Sequence, residues 1–163
     1  MRIWSDIFSG DELCTDANKV ELKFNDACLY VKAKYVTKGS DFVAIAADDE
    51  DDGGEGETVI NIVDAHKLQE MEVSQKALMG MIKAYLKRLE TYLKENGKED
   101  RVPEFKKGAT EMTKLIIKKF SEVQIFTGES MEENTALCFS YTEDGEVDPV
   151  FLYFMDGLKE IKV

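Results

Sequence analysis

The sequence has a single histidine, which restricts the catalytic schemes that it can support. Any Ser-His-Asp or Cys-His arrangement depends on His66, which stands in the polar stretch "VDAHKLQE", so we predict a surface histidine rather than a catalytic base. Neither GxxxxGK(S/T) nor GxGxxG, the glycine loops that bind nucleotide phosphates, is present. Because 33 acids are available, any pairing of carboxylates is uninformative. We therefore expect a protein that is not an enzyme and has no cofactor.

Cysteines and long apolar runs are also scarce. The three cysteines are an odd number without a CxxC pair, which favours reduced thiols over a disulfide framework or a structural zinc site. No run of about eighteen apolar residues occurs. Polar residues interrupt the opening "MRIWSDIFSGDE", where a signal peptide needs an unbroken apolar segment. We expect a cytoplasmic protein with no membrane partner.

What the chain does contain is an excess of acid that is unevenly distributed. Its 163 residues, 44% of them apolar, suffice for a single domain over 1–163, and the formal charge is −12. This charge argues against nucleic-acid binding, which needs clustered lysine and arginine. Residues 74–119 nevertheless hold 12 lysines and arginines against 6 acids. The lysines and arginines of this basic segment either cover the solvent-exposed face of long helices or form a docking surface for acidic partners.

The densest acidic segment is "ADDEDDGGEGET" at 47–58, with seven carboxylates and three glycines. An EF-hand that begins at Asp48 would need its last glutamate at Val59, so the spacing of a calcium loop fails. Repulsion between like charges and the lack of apolar side chains predict a flexible acidic loop over about 40–58. The alternative is weak, diffuse calcium binding by four aspartates: Asp48, Asp49, Asp51 and Asp52.

The N-terminal third alternates in the manner of β-strands. "CLYVKAKYV" places Leu29, Val31, Ala33 and Tyr35 on one face and lysines on the other, which predicts a half-buried strand. "RIWSDIF" alternates less cleanly. "TVINIV" and "HKLQEMEV" predict two more short extended segments.

At Ser74, a suitable N-cap, the pattern becomes helical. Apolar residues with helical spacing continue to "ENGKEDRVP", and Pro103 then suits the first turn of a second helix that ends near Phe120. The short connection predicts an antiparallel amphipathic hairpin over about 74–120. The first helix carries its apolar stripe on Leu78, Ile82, Tyr85, Leu86 and Leu89, and three lysines share the opposite, wet face: Lys83, Lys87 and Lys94.

The last third returns to β-structure in "EVQIFTGE", "TALCFSYTE" and "DPVFLYFMDG". The run from Val150 to Met155 is apolar on both faces, which predicts a central strand. The pair Asp156-Gly157 is a turn signal that would fold "LKEIKV" back as the final strand. Strands from both ends of the chain thus flank a helical insertion, which predicts an α+β fold with a mainly antiparallel β-domain.

Together these segments resemble the translationally controlled tumour protein family over essentially the whole chain. The resemblance rests on the opening "MRIWSDIFSGDELCTD", on "ACLYVKA", on "TVINIVDAHKLQE" after an acidic glycine loop, and on the basic hairpin. Its most specific part is the C-terminal signature with "IFTGE", which contains Gly128 and Glu129.

The resemblance implies a β-tent fold with a helical hairpin, similar to zinc-binding exchange chaperones of Rab GTPases whose CxxC pairs are absent here. It implies a zinc-free, non-catalytic, growth-related cytosolic protein. The associated partners are small GTPases, translation elongation factor, tubulin, calcium and anti-apoptotic proteins. The family position implicated in GTPase contact corresponds to Glu12 in "GDEL".

Two classes of function follow. The first is a multi-partner binding protein that acts on small GTPases and translation elongation factor, including modulation of guanine nucleotide exchange. The second is a calcium-responsive protein that binds tubulin through Lys83, Lys87 and Lys94 and stabilises microtubules. Glu12 and the acidic surface favour the first class, and the basic hairpin favours the second.

Overall fold

A computed structural model describes residues 1–37 and 57–163. Within these ranges, runs of strands at both ends of the chain flank a helical hairpin, which confirms the α+β prediction. The strands are β1 (Arg2–Asp6), β2 (Glu12–Thr15), β3 (Val20–Lys23), β4 (Cys28–Lys32), β5 (Tyr35–Thr37), β6 (Thr58–Ile60), β7 (Gln69–Met71), β8 (Gln124–Thr127), β9 (Cys138–Thr142), β10 (Pro149–Phe154) and β11 (Leu158–Lys162). The helices are α1 (Asn61–His66), α2 (Gln75–Glu95) and α3 (Val102–Lys118).

The described strands form three antiparallel sheets. The largest has the order β3-β4-β10-β9-β8-β7, a smaller one has the order β11-β1-β2, and β5 pairs with β6. Strand β10 is therefore central, as its apolar run predicts, and all of its residues are buried. Its two faces meet different partners: Phe154 lies beside Tyr85 of α2, with ring centroids 6.0 Å apart, while the Tyr153 hydroxyl donates to the Leu13 carbonyl of β2.

The helical hairpin follows the sequence closely. The Ser74 side chain accepts a hydrogen bond from the Ala77 amide at 3.1 Å, which satisfies one of the free amides at the start of α2. The helix ends before Gly97, which has a φ of 73°. Helix α3 begins beside Pro103 and ends two residues before Phe120. Residues Glu99–Arg101 form a 3-10 turn between the two helices.

Three predictions about the strands are wrong in part. The segment from Cys28 to Tyr35 contains parts of two strands, separated by Ala33 and Lys34, and Cys28 to Val31 are all buried, so both faces of β4 are covered there. Only Thr58–Ile60 of "TVINIV" is extended, since α1 starts at Asn61, whose Oδ1 accepts from the Lys34 amide. In "HKLQEMEV" only Gln69–Met71 is a strand.

The turn expected at Asp156-Gly157 does not make a hairpin. Met155–Gly157 is a 3-10 turn, and β11 pairs with β1 in the smaller sheet rather than with β10. Gly157 has no positive φ and is instead a point of close approach, because a Cβ there would overlap the Tyr85 hydroxyl. The final strand exists as predicted, but it crosses from one sheet to the other.

Across the described ranges, no helix combines the length and the apolar character that crossing a membrane requires.

Candidate functional site

Glu12 begins strand β2 and is exposed to solvent. The pairing with β1 passes from Trp4–Cys14 to Ser5–Glu12, so Leu13 is an additional residue and the strand bulges. A bulge bends its strand and changes the direction in which nearby side chains point. The carboxylate of Glu12 is thus presented at an irregular end of the small sheet.

The turn that leads to Glu12 is organised by a buried carboxylate. Asp6 accepts hydrogen bonds from the Phe8 amide, the Ser9 hydroxyl and the Ala136 amide, each at 2.9 Å. Ala136 lies in the distant segment that precedes β9. Since hydrogen bonds to a charged group are stronger than neutral ones, this aspartate fixes the β1–β2 turn against the C-terminal part of the chain.

A second aspartate connects this turn to the loop between β8 and β9, residues 128–137, which we call the signature loop. Asp11 accepts hydrogen bonds from the Ser130 amide at 3.1 Å and from the Ser130 hydroxyl at 2.6 Å, across 119 positions of the chain. A Cβ at Gly128 would overlap the Asp11 carboxylate, so only glycine allows the two loops to approach so closely. This contact gives a physical reason for Gly128 and places the exposed Glu129 next to Glu12.

His66, the last residue of α1, lies close to Glu12. Lys67 follows it in the left-handed region, with a φ of 55°, and terminates the short helix. The imidazole is half-buried, and burial lowers its pKa below the ordinary value while the Glu12 carboxylate opposes this shift. The prediction of a surface histidine is therefore wrong in part, since the His66 side chain is half-buried and has lost part of its contact with water.

These side chains enclose a cleft of about 270 Å³. Its walls carry three carboxylates, from Asp11, Glu12 and Glu129, against one lysine, Lys67. The full lining is Gly10, Asp11, Glu12, Ala65, His66, Lys67 and Glu129. Such a surface accepts hydrogen bonds and attracts cationic groups, and it lacks the apolar walls that characterise sites for small organic ligands.

Among the described residues that line the cleft there is no serine, threonine or cysteine that His66 could activate. The three thiols are buried elsewhere, around Tyr153, and burial raises the pKa values of Cys14 and Cys28 to about 12. Cys138 shifts in the same direction for the same reason. A thiol in this state is protonated at neutral pH and unreactive. Over residues 1–37 and 57–163 there is also no group of three or more metal-ligating side chains with the arrangement of a metal site.

Comparison with known proteins identifies the family. A model of the family described as "Translationally controlled tumour protein" matches residues 1–159. A Dictyostelium discoideum protein named "Translationally-controlled tumor protein homolog 1" is 40% identical over 99% of each chain. The chain belongs to the translationally controlled tumour protein family. A homologue from Mycosarcoma maydis is 34% identical over the full length of both chains.

Solved structures of translationally controlled tumour proteins have the same fold. The protein p23fyp from Schizosaccharomyces pombe superimposes with a TM-score of 0.84 at 29% identity, over all of both chains. The solution structure of the Caenorhabditis elegans protein gives a TM-score of 0.67 at 27% identity, over 100% of this chain and 99% of the other. The resemblance seen in the sequence is thereby confirmed for the whole chain.

The structure brings together some of the predicted residues of this family member and separates others. Glu12 shares the cleft with Glu129, and Gly128 supports it. Lys83, Lys87 and Lys94 lie exposed on the outer face of α2, as expected, but Lys94 is paired with Glu90 at 3.1 Å. Glu90 also binds Lys106 of α3, so Lys94 belongs to a bridge between the helices. The four aspartates proposed for calcium, Asp48, Asp49, Asp51 and Asp52, lie outside the described residues.

Arg88 is a residue that sequence reasoning missed, because it counted only as one more basic residue of α2. Its guanidinium donates to the Asn134 carbonyl at 2.7 Å and lies 3.7 Å from the centroid of the Phe8 ring. Phe8 belongs to the turn before Glu12, and its ring makes T-shaped contacts with the rings of Tyr85 and Tyr92. Arg88 therefore joins α2 to both loops that form the cleft. No local pattern indicates this role, because all of its partners are distant in sequence.

Proposed function

We propose that this chain is a non-catalytic cytosolic binding protein that contacts small GTPases and translation elongation factor through the cleft at Glu12. The proposal is supported by one observation above all: the family position Glu12 and the signature residues Gly128 and Glu129 meet at a single cleft. Family membership raises the expectation of such partners.

The chemistry of the cleft suits this role. Its carboxylates can accept hydrogen bonds from backbone amides in the phosphate-binding and switch loops of a GTPase, or pair with lysine and arginine there. Asp6 and Asp11 hold the surrounding loops before any partner arrives, which reduces the entropy lost on binding. A contact with the switch loops would also change nucleotide release, so modulation of exchange belongs to the same proposal.

The test is Glu12→Ala, measured by calorimetry against purified small GTPases and elongation factor in their GDP-bound, GTP-bound and nucleotide-free states. We expect an unchanged fold and weaker binding, by about 2 to 5 kcal/mol if the carboxylate is buried in the complex and by less at a rim. The release of a fluorescent GDP analogue, followed with wild type and mutant, reports on exchange.

Glu111→Ala is the matched control, because Glu111 is an exposed acid on α3 outside the cleft. Equal affinities of wild type and Glu12→Ala for every GTPase that binds would refute the assignment. An equal loss with Glu111→Ala would mean that net charge, and not the cleft, drives the association.

A second candidate function is binding to the acidic tails of tubulin through α2. It is favoured by the exposure of Lys83 and Lys87 on one face, although the salt bridge of Lys94 leaves this residue less available. Reversal of all three lysines to glutamate should abolish co-sedimentation with microtubules at low salt and spare GTPase binding. Reversal of Lys107, Lys114 and Lys118, which are exposed on α3, is the control. Unchanged co-sedimentation of the first triple mutant would contradict this candidate.

Calcium binding remains a separate proposal. We expect a dissociation constant on the order of 10⁻³ M, because the acidic segment offers charge without the spacing of an EF-hand cage. Calorimetric titration of the chain and of a deletion of residues 47–57 tests this. Stoichiometric micromolar binding would refute the weak site, and full retention of binding after the deletion would refute these ligands.

A further inference from the structure

An apolar groove shares the signature loop with the Glu12 cleft, because Met131 lines the groove and Glu129 lines the cleft. It runs along α2 from Ala77 to Tyr85, a length of about 12 Å or two helical turns, and encloses about 570 Å³. Residues between Met131 and Leu137, together with Met71 and Thr127, form its remaining walls. Its volume falls in the range of about 300 to 1,000 Å³ that is usual for ligand sites.

Small side chains from α2 form the floor of this groove, and at Gly80 the fold does not require a small residue. Ala77, Gly80 and Ala84 are all exposed and lie on one side of α2. Gly80 has helical backbone angles, and a Cβ added to it would meet nothing within 4 Å. A glycine inside a helix is destabilising relative to alanine, yet no contact within the described chain explains it. Small residues on a helix allow another backbone to come close.

The walls are adaptable and apolar. Three methionines, Met71, Met81 and Met131, surround the floor, and methionine accommodates partners of varied shape because its side chain is unbranched and polarisable. Met131 is 62% exposed, which is unusual for a large apolar side chain. Met131 and Asn134 both have a positive φ, so the wall is held in a sparsely populated conformation.

The acidic side chains along the groove indicate that its partner is basic. Glu132 and Glu133 line it, are exposed, and have no lysine or arginine paired with them among residues 1–37 and 57–163. We propose that this groove binds an amphipathic helix of a partner protein, with its apolar face on Ala77, Gly80 and Ala84 and with lysine or arginine towards Glu132 and Glu133. This is the helix-in-groove mode of recognition, and it is independent of the contact proposed for Glu12.

The test uses a synthetic 18-residue peptide of leucine and lysine with leucines at helical spacing. A second peptide of the same composition alternates leucine and lysine, so that it has the same charge without an apolar helical face. Binding is measured by fluorescence anisotropy at about 150 mM salt, and the contacted residues are mapped by NMR chemical shifts. We expect saturable binding of the first peptide alone, with shifts at 77–85 and 127–137.

Gly80→Leu is the decisive variant, because it fills the groove without changing charge and has room for its side chain. It should weaken binding by about tenfold or more, while Thr110→Leu, at an exposed position of α3, should not. Circular dichroism verifies that both variants fold. Glu132→Lys combined with Glu133→Lys should also weaken binding, whereas the same reversal at Glu111 and Glu122, which are exposed elsewhere, should have little effect.

Three outcomes would overturn the proposal. Equal affinity of wild type and Gly80→Leu would exclude the groove, and equal binding of the two peptides would mean that charge alone drives association. If neither peptide binds and the chain instead forms a dimer that Gly80→Leu abolishes, the occupant is a second copy of this chain and not a partner helix.

Discussion

Strand β10 and helix α2 both contribute large apolar side chains to the interior, but the fold uses them differently. Every residue of β10 is buried, since the smaller sheet covers one face and the hairpin covers the other. Helix α2 buries one stripe and leaves the opposite side to lysines and to the small residues of the groove. A substitution in β10 therefore acts on stability, whereas a substitution on the outer side of α2 should act on binding and leave the fold intact.

The largest effect should come from the centre of β10. Phe151 is fully buried and its ring lies 5.7 Å from that of Phe126. Phe151→Ala should lower the free energy of unfolding by about 3 to 5 kcal/mol in urea titrations, because it removes apolar surface and leaves a cavity. Val147→Ala, at a residue that is 80% exposed, is the control and should change stability by less than about 0.5 kcal/mol. Similar costs for the two would contradict the distinction between interior and surface.

The next effect concerns the contact between α2 and the end of β10. Gly157→Ala should cost about 1 to 3 kcal/mol, because the new Cβ overlaps the buried Tyr85 hydroxyl. That hydroxyl has no hydrogen-bond partner in the part of the chain that the structure describes, so Tyr85→Phe alone should cost little. The double mutant should then recover most of the loss in a double-mutant cycle. Strictly additive effects would show that the hydroxyl does not cause the strain.

A smaller and opposite effect is expected on the outer side of α2. Gly80→Ala should raise the free energy of unfolding by about 0.5 to 1 kcal/mol, because alanine restricts the unfolded chain and meets no atom in the folded one. Gly97→Ala is the contrasting variant, since its φ of 73° disfavours any side chain, and it should destabilise. Thermal unfolding of both measures the difference. Destabilisation by Gly80→Ala would mean that the groove floor is part of the interior.

The smallest effect should come from His66 in the cleft. Its side chain is half-buried, between the fully buried residues of β10 and the exposed residues on the outer side of α2. Burial lowers the pKa of His66 below its ordinary value of 6.5, so the unfolded chain takes up a proton before the folded one does. The contribution of His66 to the free energy of unfolding is fully present above pH 6.5. It decreases as the pH falls from 6.5 to the lowered pKa that His66 has in the folded state. His66→Gln should remove this part of the pH dependence, measured as the difference between the urea unfolding profiles of mutant and wild type. Identical profiles would contradict the desolvation of His66.

The helical hairpin could be predicted from the sequence because its information is local. Ser74, Pro103 and the apolar spacing of α2 act within a few residues, and the structure agrees with each. The candidate site could be predicted only in part. Glu12, Gly128 and Glu129 came from family resemblance, whereas Asp11 and Arg88 belong to the site through contacts across the fold. A single sequence contains no local pattern that pairs such residues.

The sequence by itself determined the α+β class, the central position of β10, the bounds of the hairpin, and the division of charge between a basic α2–α3 segment and an acidic remainder. These properties follow from periodicity and composition, which depend on neighbours along the chain. Only the tertiary structure decided that β11 leaves the sheet of β10 to pair with β1, that β4 is buried on both faces, that His66 meets Glu12, and that Gly80 lies in an open groove. Each of these depends on which segments, distant in sequence, pack against one another. The free energy of that packing is distributed over many contacts, so no single segment specifies it.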